Sequence, residues 1–192
     1  MPGTPISRGR AILRELRDKK VDFIVVGGVA AVLEGVPVNT FDVDVVPCRE
    51  PANVDRLMAA LDSLDAVYRL RSELKPNASH LASADHKLLM TRFDPLDVLG
   101  TIGSGRGYDD LLPHSVEGEL DDGLRVQVLN LETLIAVKEE VAGEKDLAVL
   151  PVMRRTLEEK RRRGTSLHRF AAELPQCIMA NPTRGARFSR GQ

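Results

Sequence analysis

The stretch "FIVVGGVAAVLEGVPVNTFDVDVVPC", residues 23–48, decides how the chain is read. Val21 to Val26 is a run rich in β-branched and apolar residues that stops at Gly27-Gly28, the pattern of a buried strand feeding a turn. "VAAVLEG" then reads as a short helix, closed by Gly35 and Pro37. Thr40 to Cys48 is a second strand. Side chains two apart on a strand share a face, so Asp42 and Asp44 project together while Phe41, Val43 and Val45 point the other way. Two carboxylates that close raise one another's pKa unless something positive meets them. A divalent cation with hard oxygen ligands, Mg²⁺ above all, is the usual answer, and it completes its shell with water and substrate phosphates. By itself an Asp-x-Asp is weak evidence for metal, because an exposed strand face with two solvated aspartates accounts for it more simply. The glycine pair adds a second observation: a strand opening directly into a helix through bare backbone N–H groups favours phosphate above the sheet.

Working outward, residues 8–19 place Ile12, Leu13 and Leu16 on one helical face. Pro51 opens a helix running to about Leu64, with Val54, Leu57, Met58 and Leu61 as its apolar side. "HKLLMTR" and "LDVLGTI" are strands on either side of the turn Asp94-Pro95. "SVEGELDDGLRVQVL" is a hairpin around Asp121-Asp122-Gly123. Asn130 caps a helix over "LETLIAVKEEVAG", which Gly143 stops. The following segment is helical in pattern, with Pro151 expected to break or kink it. Strands and helices mixed over the first 130 residues, then helices only, give an α+β fold. The expected organisation is a sheet domain over 1–130, a helical C-terminal part of the same domain over 131–164, and a weakly structured basic tail over 165–192.

Composition sets limits. Of 192 residues, 43 % are hydrophobic and 29 % charged, as in an ordinary globular protein with a sizeable core. There is no Trp, and 4 % aromatic residues leave little for a base-stacking platform. The longest apolar run, Phe23 to Leu33, is too short to span a bilayer, and the N-terminus lacks the apolar core of a secretory signal. Cys48 and Cys177 stand apart from metal-spaced partners and read as reduced thiols. A cytoplasmic location without membrane association is expected. The net charge of −1 conceals about +7 from Pro151 onward, either a solvated basic helix and tail or a contact for an acidic or phosphate-bearing partner. His80, His86, His114 and His168 show no zinc spacing, and no Ser or Cys lies in a nucleophile elbow. "GTIGSGRGYDD", residues 100–110, lacks the Gly-Lys-Ser/Thr ending of a P-loop and reads as a mobile loop at the rim of a site, from which Arg106 can reach substrate.

The stretch "VGGVAAVLEG…NTFDVDVV" resembles the nucleotidyltransferase superfamily, with its polymerase-β-like fold: a mixed β-sheet flanked by helices. Within it the chain is most similar to the minimal bacterial nucleotidyltransferases and the abortive-infection nucleotidyltransferase-type toxins. The resemblance covers roughly residues 20–150. It implies that Gly27, Gly28 and Thr40 lie against the nucleotide, and that Asp42 and Asp44 hold Mg²⁺. It also implies a third carboxylate on a neighbouring strand. Asp97, between Leu96 and Val98, fits that place better than Asp94, which precedes Pro95 in the turn. Lys138, Lys145 and Asp146 match positions that face the nucleotide. The sequence departs from the family's commonest pattern in having Gly28 where a Ser often follows the first glycine, and Asn39 where many relatives carry an arginine.

The activity so implied is Mg²⁺-dependent transfer of NMP from an NTP to a hydroxyl on RNA, a protein side chain or a small molecule. A toxin–antitoxin or phage-defence setting, with a cognate partner protein, goes with that branch. The alternative from another class is a non-catalytic binding module of the same fold that acts by masking a partner.

Overall fold

In a computed structural model, the backbone is described over residues 6–120, 123–141 and 143–172. The elements are α1 (Ile6–Asp18), β1 (Phe23–Val26), α2 (Gly27–Leu33), β2 (Val43–Pro47), α3 (Pro51–Ser63), β3 (Val67–Tyr68), α4 (Ala78–Ala82), β4 (His86–Met90), β5 (Pro95–Leu99), α5 (Tyr108–Leu111), β6 (Ser115–Glu119), β7 (Arg125–Leu129), α6 (Leu131–Val141) and α7 (Glu144–Ala172). The strands form a single mixed sheet in the order β3-β4-β5-β2-β1-β7-β6. β2 runs antiparallel to β1 and parallel to β5, and β1 runs parallel to β7. The fold is α+β, as the pattern of elements predicts. No described helix is long and apolar enough to cross a membrane.

The centre of the sheet is where the apolar runs lie. All four residues of β1 are buried, and so are Val43, Val45 and Val46 of β2 and Leu96 and Val98 of β5. Ile12, Leu13 and Leu16 of α1 are fully buried, as are Leu57 of α3 and, within 1 %, Leu61. Gly9 lies so close to Val43 that a Cβ there would meet its Cγ2 at 2.9 Å, which lets α1 approach the Val43 face of the sheet. Asp44, next along the strand, therefore points to the opposite face, where α2 packs against α6.

Several sequence expectations are refined. α2 starts at Gly27 itself, with no intervening loop, and Asp42 precedes β2 instead of lying inside it. The strand expected to continue through residue 102 ends at Leu99. α7 is not broken: it runs through Pro151 and reaches Ala172, so residues 165–172 are helical. β3, α4 and α5 were not anticipated, because runs of two, five and four residues carry no measurable periodicity. The hairpin β6–β7 forms, while residues 121 and 122 of its turn lie outside the described residues. Asn130 does cap α6, its Oδ1 accepting from the Thr133 N–H at 2.9 Å.

One buried side chain ties the far ends of the central strands to α3. Asn53, 1 % exposed, accepts from the Asp22 N–H at 2.8 Å and donates to the carbonyls of Asp22 (3.0 Å) and Cys48 (2.7 Å). Asn53→Ala removes these three bonds and the one that Oδ1 accepts from Arg56 Nη2 at 2.9 Å, and leaves a void at a buried position between the strand ends and α3. A loss of about 2–4 kcal/mol is expected, read as a lower urea midpoint with an unchanged m-value. A cost under about 0.5 kcal/mol contradicts the role assigned to Asn53.

Candidate functional site

The site is built on strand register. Val26, the last residue of β1, pairs with Asp44 on one side, and Asp44 pairs with Asp97 of β5 on the other. Parallel in-register partners carry their side chains on the same face, so the two carboxylates stand side by side. Asp42, just ahead of β2, lies close enough for its charge to act on both carboxyls. Asp94 does not reach this face as a strand residue: it sits in the turn before β5, where its carbonyl accepts from both the Thr91 N–H (3.2 Å) and the Thr91 hydroxyl (2.7 Å). The turn is thus held by buried Thr91 as well as by Pro95.

Gly27 is required at two levels. Its φ of +63° is the left-handed region that side chains disfavour, and a Cβ there would overlap the Asp44 carboxylate. A Cβ on Gly28 would overlap the Thr40 side chain, whose hydroxyl donates to the Asp42 carbonyl at 3.3 Å. The Gly28 N–H donates to the Asp44 carboxylate. The glycine pair therefore brings backbone directly against the aspartates, and part of its N–H capacity is spent on Asp44 itself.

The electrostatics follow from that crowding. Burial pushes the Asp44 carboxyl up to about 7, and the neighbouring Asp97 and Asp42 carboxylates push it the same way. The Gly28 N–H and the Lys138 ammonium pull it back down. Asp97, 9 % exposed, is also raised, chiefly by burial, against the lowering effect of Arg69. Arg69 pairs with Asp97 and stands 3.7 Å from Asp42. Sequence reading passed over this arginine, which is far from both aspartates along the chain, and nothing in the local pattern marks it.

Beside the aspartates lies a cavity of about 260 Å³. Gly27, Gly28, Asp44, His86 and Lys138 form its polar side, and Leu99, Ile102, Leu134 and Val137 its apolar wall. Lys138 on α6 thus shares a cavity with the glycine pair, and Thr40 packs under Gly28. The side chains of Lys145 and Asp146 lie outside the described residues. His86, which has no metal-spaced partner in the sequence, faces this cavity and bonds the Thr101 carbonyl through Nε2 at 2.9 Å. The loop 100–107 closes against α6: Arg106 pairs with Glu140, and the Ser104 N–H donates to the same carboxylate at 3.1 Å. Arg106 is therefore committed to Glu140, and it draws that carboxyl below its ordinary value.

Three hard carboxylates on one face, one of them held near neutrality by the others and by burial, form a donor set suited to a small divalent cation. Among the described residues, no three acidic, imidazole or thiol side chains are already gathered at metal-holding geometry. The guanidinium of Arg69 stands between two of the three carboxylates instead.

No protein-family profile and no curated protein matches the chain. Solved structures do. The lincosamide antibiotic adenylyltransferase LnuA, with lincomycin bound, superposes with a TM-score of 0.54 at 13 % identity, covering 77 % of this chain and 94 % of that one. The antibiotic-resistance factor ANT(2″)-Ia gives a TM-score of 0.49 at 13 % identity over 88 % of this chain and 97 % of that one. The chain has the fold of the nucleotidyltransferase superfamily.

A raised carboxyl has a definite consequence for stability. The folded state binds the Asp44 proton more tightly than the unfolded chain, whose ordinary value is 3.8. Its contribution is fully present below that value and is lost as pH rises through about 7. In metal-free buffer, unfolding free energy is expected to fall between pH 5 and 8, on the order of 2–4 kcal/mol from this group. Asp44→Asn should flatten that slope, as measured by denaturant titration across pH. An unchanged slope in the variant contradicts the crowding described here.

Proposed function

We propose that the protein is a nucleotidyltransferase that moves NMP from an NTP to a hydroxyl acceptor. The observation that supports this reading most is the register that sets Asp97 beside Asp44, with the bare backbone of Gly27-Gly28 against the same carboxylate. Asp42, Asp44 and Asp97 would hold Mg²⁺, which, when bound, neutralises the triphosphate and acidifies the attacking hydroxyl. Gly27 and Gly28 leave room for the phosphates, Thr40 braces Gly28, and Lys138 supplies a positive charge to the same cavity. Lys145 and Asp146 are assigned to the nucleotide by resemblance.

In the transfer step the acceptor oxygen forms a bond to the α-phosphorus while the bond to the bridging oxygen breaks, releasing pyrophosphate. The acceptor proton passes to Asp97, whose carboxyl burial raises above its ordinary value. Asp42 and Asp44 are committed to charge neutralisation.

The acceptor side is the open face of β4 and β5. Leu88, paired in register with Asp97, and Met90 are exposed there, and Phe41 beside Asp42 is 74 % exposed. Such surroundings favour a hydroxyl with apolar neighbours, on a protein side chain or a small molecule, over an RNA 3′ end. The basic stretch after Pro151 is the feature that favours RNA. In a toxin–antitoxin or phage-defence setting in the cytoplasm, a protein hydroxyl is the natural acceptor and a cognate protein the counterpart. A binding module without turnover is the competing reading.

Purified protein is incubated with each α-labelled NTP and Mg²⁺, alone and with RNA, protein extract or a panel of hydroxylated small molecules. Pyrophosphate release and a labelled acceptor are expected. Asp97→Ala should lower turnover by about 10²–10⁴-fold while Asp94→Ala stays near wild type. Nucleotide binding without any pyrophosphate, in every acceptor arm, favours the binding module. A dead Asp94→Ala beside an active Asp97→Ala moves the third carboxylate to Asp94.

A further inference from the structure

The unexplained group in the site is Arg69. It follows the two-residue strand β3 at the edge of the sheet, anchored by its backbone N–H to the Leu88 carbonyl at 2.9 Å. Its side chain crosses the open face to pair with Asp97 and to approach Asp42 at 3.7 Å. The hold is incomplete: the Arg69 Nε–H is buried and meets no acceptor, so the guanidinium fork is only partly satisfied. The Arg69 side chain keeps 27 % of its surface in solvent and is no part of the apolar core, so it can swing out without opening a cavity there. A cation thus already stands where a metal would need the same two carboxylates.

Resting on the nucleotidyltransferase reading, we propose that Arg69 is a displaceable placeholder for the divalent cation. Its guanidinium holds Asp42 and Asp97 until a metal–triphosphate complex takes its place. Two positive groups cannot share those carboxylates without strong repulsion. Metal alone must therefore evict Arg69 into solvent, and it binds poorly. Metal arriving with a triphosphate brings anionic oxygens that a released guanidinium can pair with, so eviction is compensated. Arg69 in this way couples metal binding to nucleotide binding. Because the coupling is thermodynamic, it acts equally in both directions. The same contact disfavours a metal-loaded site without substrate. Arg69 acts here as a positioning residue through the two aspartates.

The test uses the full chain and Mn²⁺, followed by the electron paramagnetic resonance signal of the free ion. Wild type is compared with Arg69→Ala, with Arg69→Gln, which keeps the stem, and with Asp44→Asn/Asp97→Asn. Without nucleotide, both arginine variants are expected to bind Mn²⁺ on the order of tenfold more tightly than wild type. With a non-hydrolysable NTP analogue present, that advantage should shrink to about threefold or less, because wild type recovers affinity through the coupling. Thermal melting supplies a second readout: the variants should melt below wild type in chelator, and Mn²⁺ should close the gap. Should one variant fold poorly, the other carries the comparison. The placeholder role is overturned if wild type binds Mn²⁺ and the arginine variants bind it equally or less tightly, as they would for a merely structural ion pair; the nucleotidyltransferase reading then stands. If neither wild type nor either arginine variant binds Mn²⁺, with or without the analogue, both proposals fall together.

Discussion

Two carboxylates held side by side on adjacent parallel strands are the constraint on which the rest of the site depends. Asp44 and Asp97 are fixed by the pairing of β2 with β5, and a one-residue slip would send one of them into the α1-packed core. That register is itself specified by burial. Val43, Val45, Leu96 and Val98 all occupy the opposite face, so slipping would expose four apolar side chains at once. The apolar core thus enforces an electrostatically unfavourable pair. Natural sheets avoid placing like charges directly opposite one another unless something else is gained.

The neighbouring features read as responses to that pair. Gly27 takes a left-handed conformation so that no side chain competes with Asp44, and the Gly28 N–H donates to its carboxylate. Lys138 contributes positive potential from α6, and Arg69 reaches across from the sheet edge to Asp97. Even so, burial keeps Asp44 near neutrality. The compensation is partial, and a fully compensated cluster would have little affinity left for a cation. Stability given up at such a place is what functional sites often show.

Much of this was legible in residues 23–48. The period-2 alternation around Asp42 and Asp44 and the strand-ending glycines are local signals, and the structure places strand, glycines and aspartates together. Asp97 could be separated from Asp94 because Pro95 restricts its predecessor, another local rule. Arg69 could not be found this way. Its partners are brought to it by three strand pairings, β3 with β4, β4 with β5, and β5 with β2, and no spacing in the sequence encodes that sum. His86 escaped for a related reason: it was weighed only as a metal ligand, whereas its position at the start of β4 sets it at the cavity. Pro151 illustrates the limit of propensity. A proline inside a helix costs about 3 kcal/mol, yet buried Leu150 and Met153 on either side show tertiary packing that holds the turn. The closure of loop 100–107 through Arg106 and Glu140 is likewise tertiary, joining residues 34 apart.

The central claim is that the crowded carboxylates exist to bind a cation with a nucleotide. Diffraction from crystals grown with Mn²⁺ and a non-hydrolysable NTP analogue, recorded for the anomalous signal of manganese, addresses it most directly. The account predicts a peak within roughly 2.0–2.3 Å of carboxylate oxygens from both Asp44 and Asp97, with a phosphate oxygen completing the shell. Nucleotide bound with manganese elsewhere, or with Arg69 still paired to Asp97 and no peak beside it, would contradict the account.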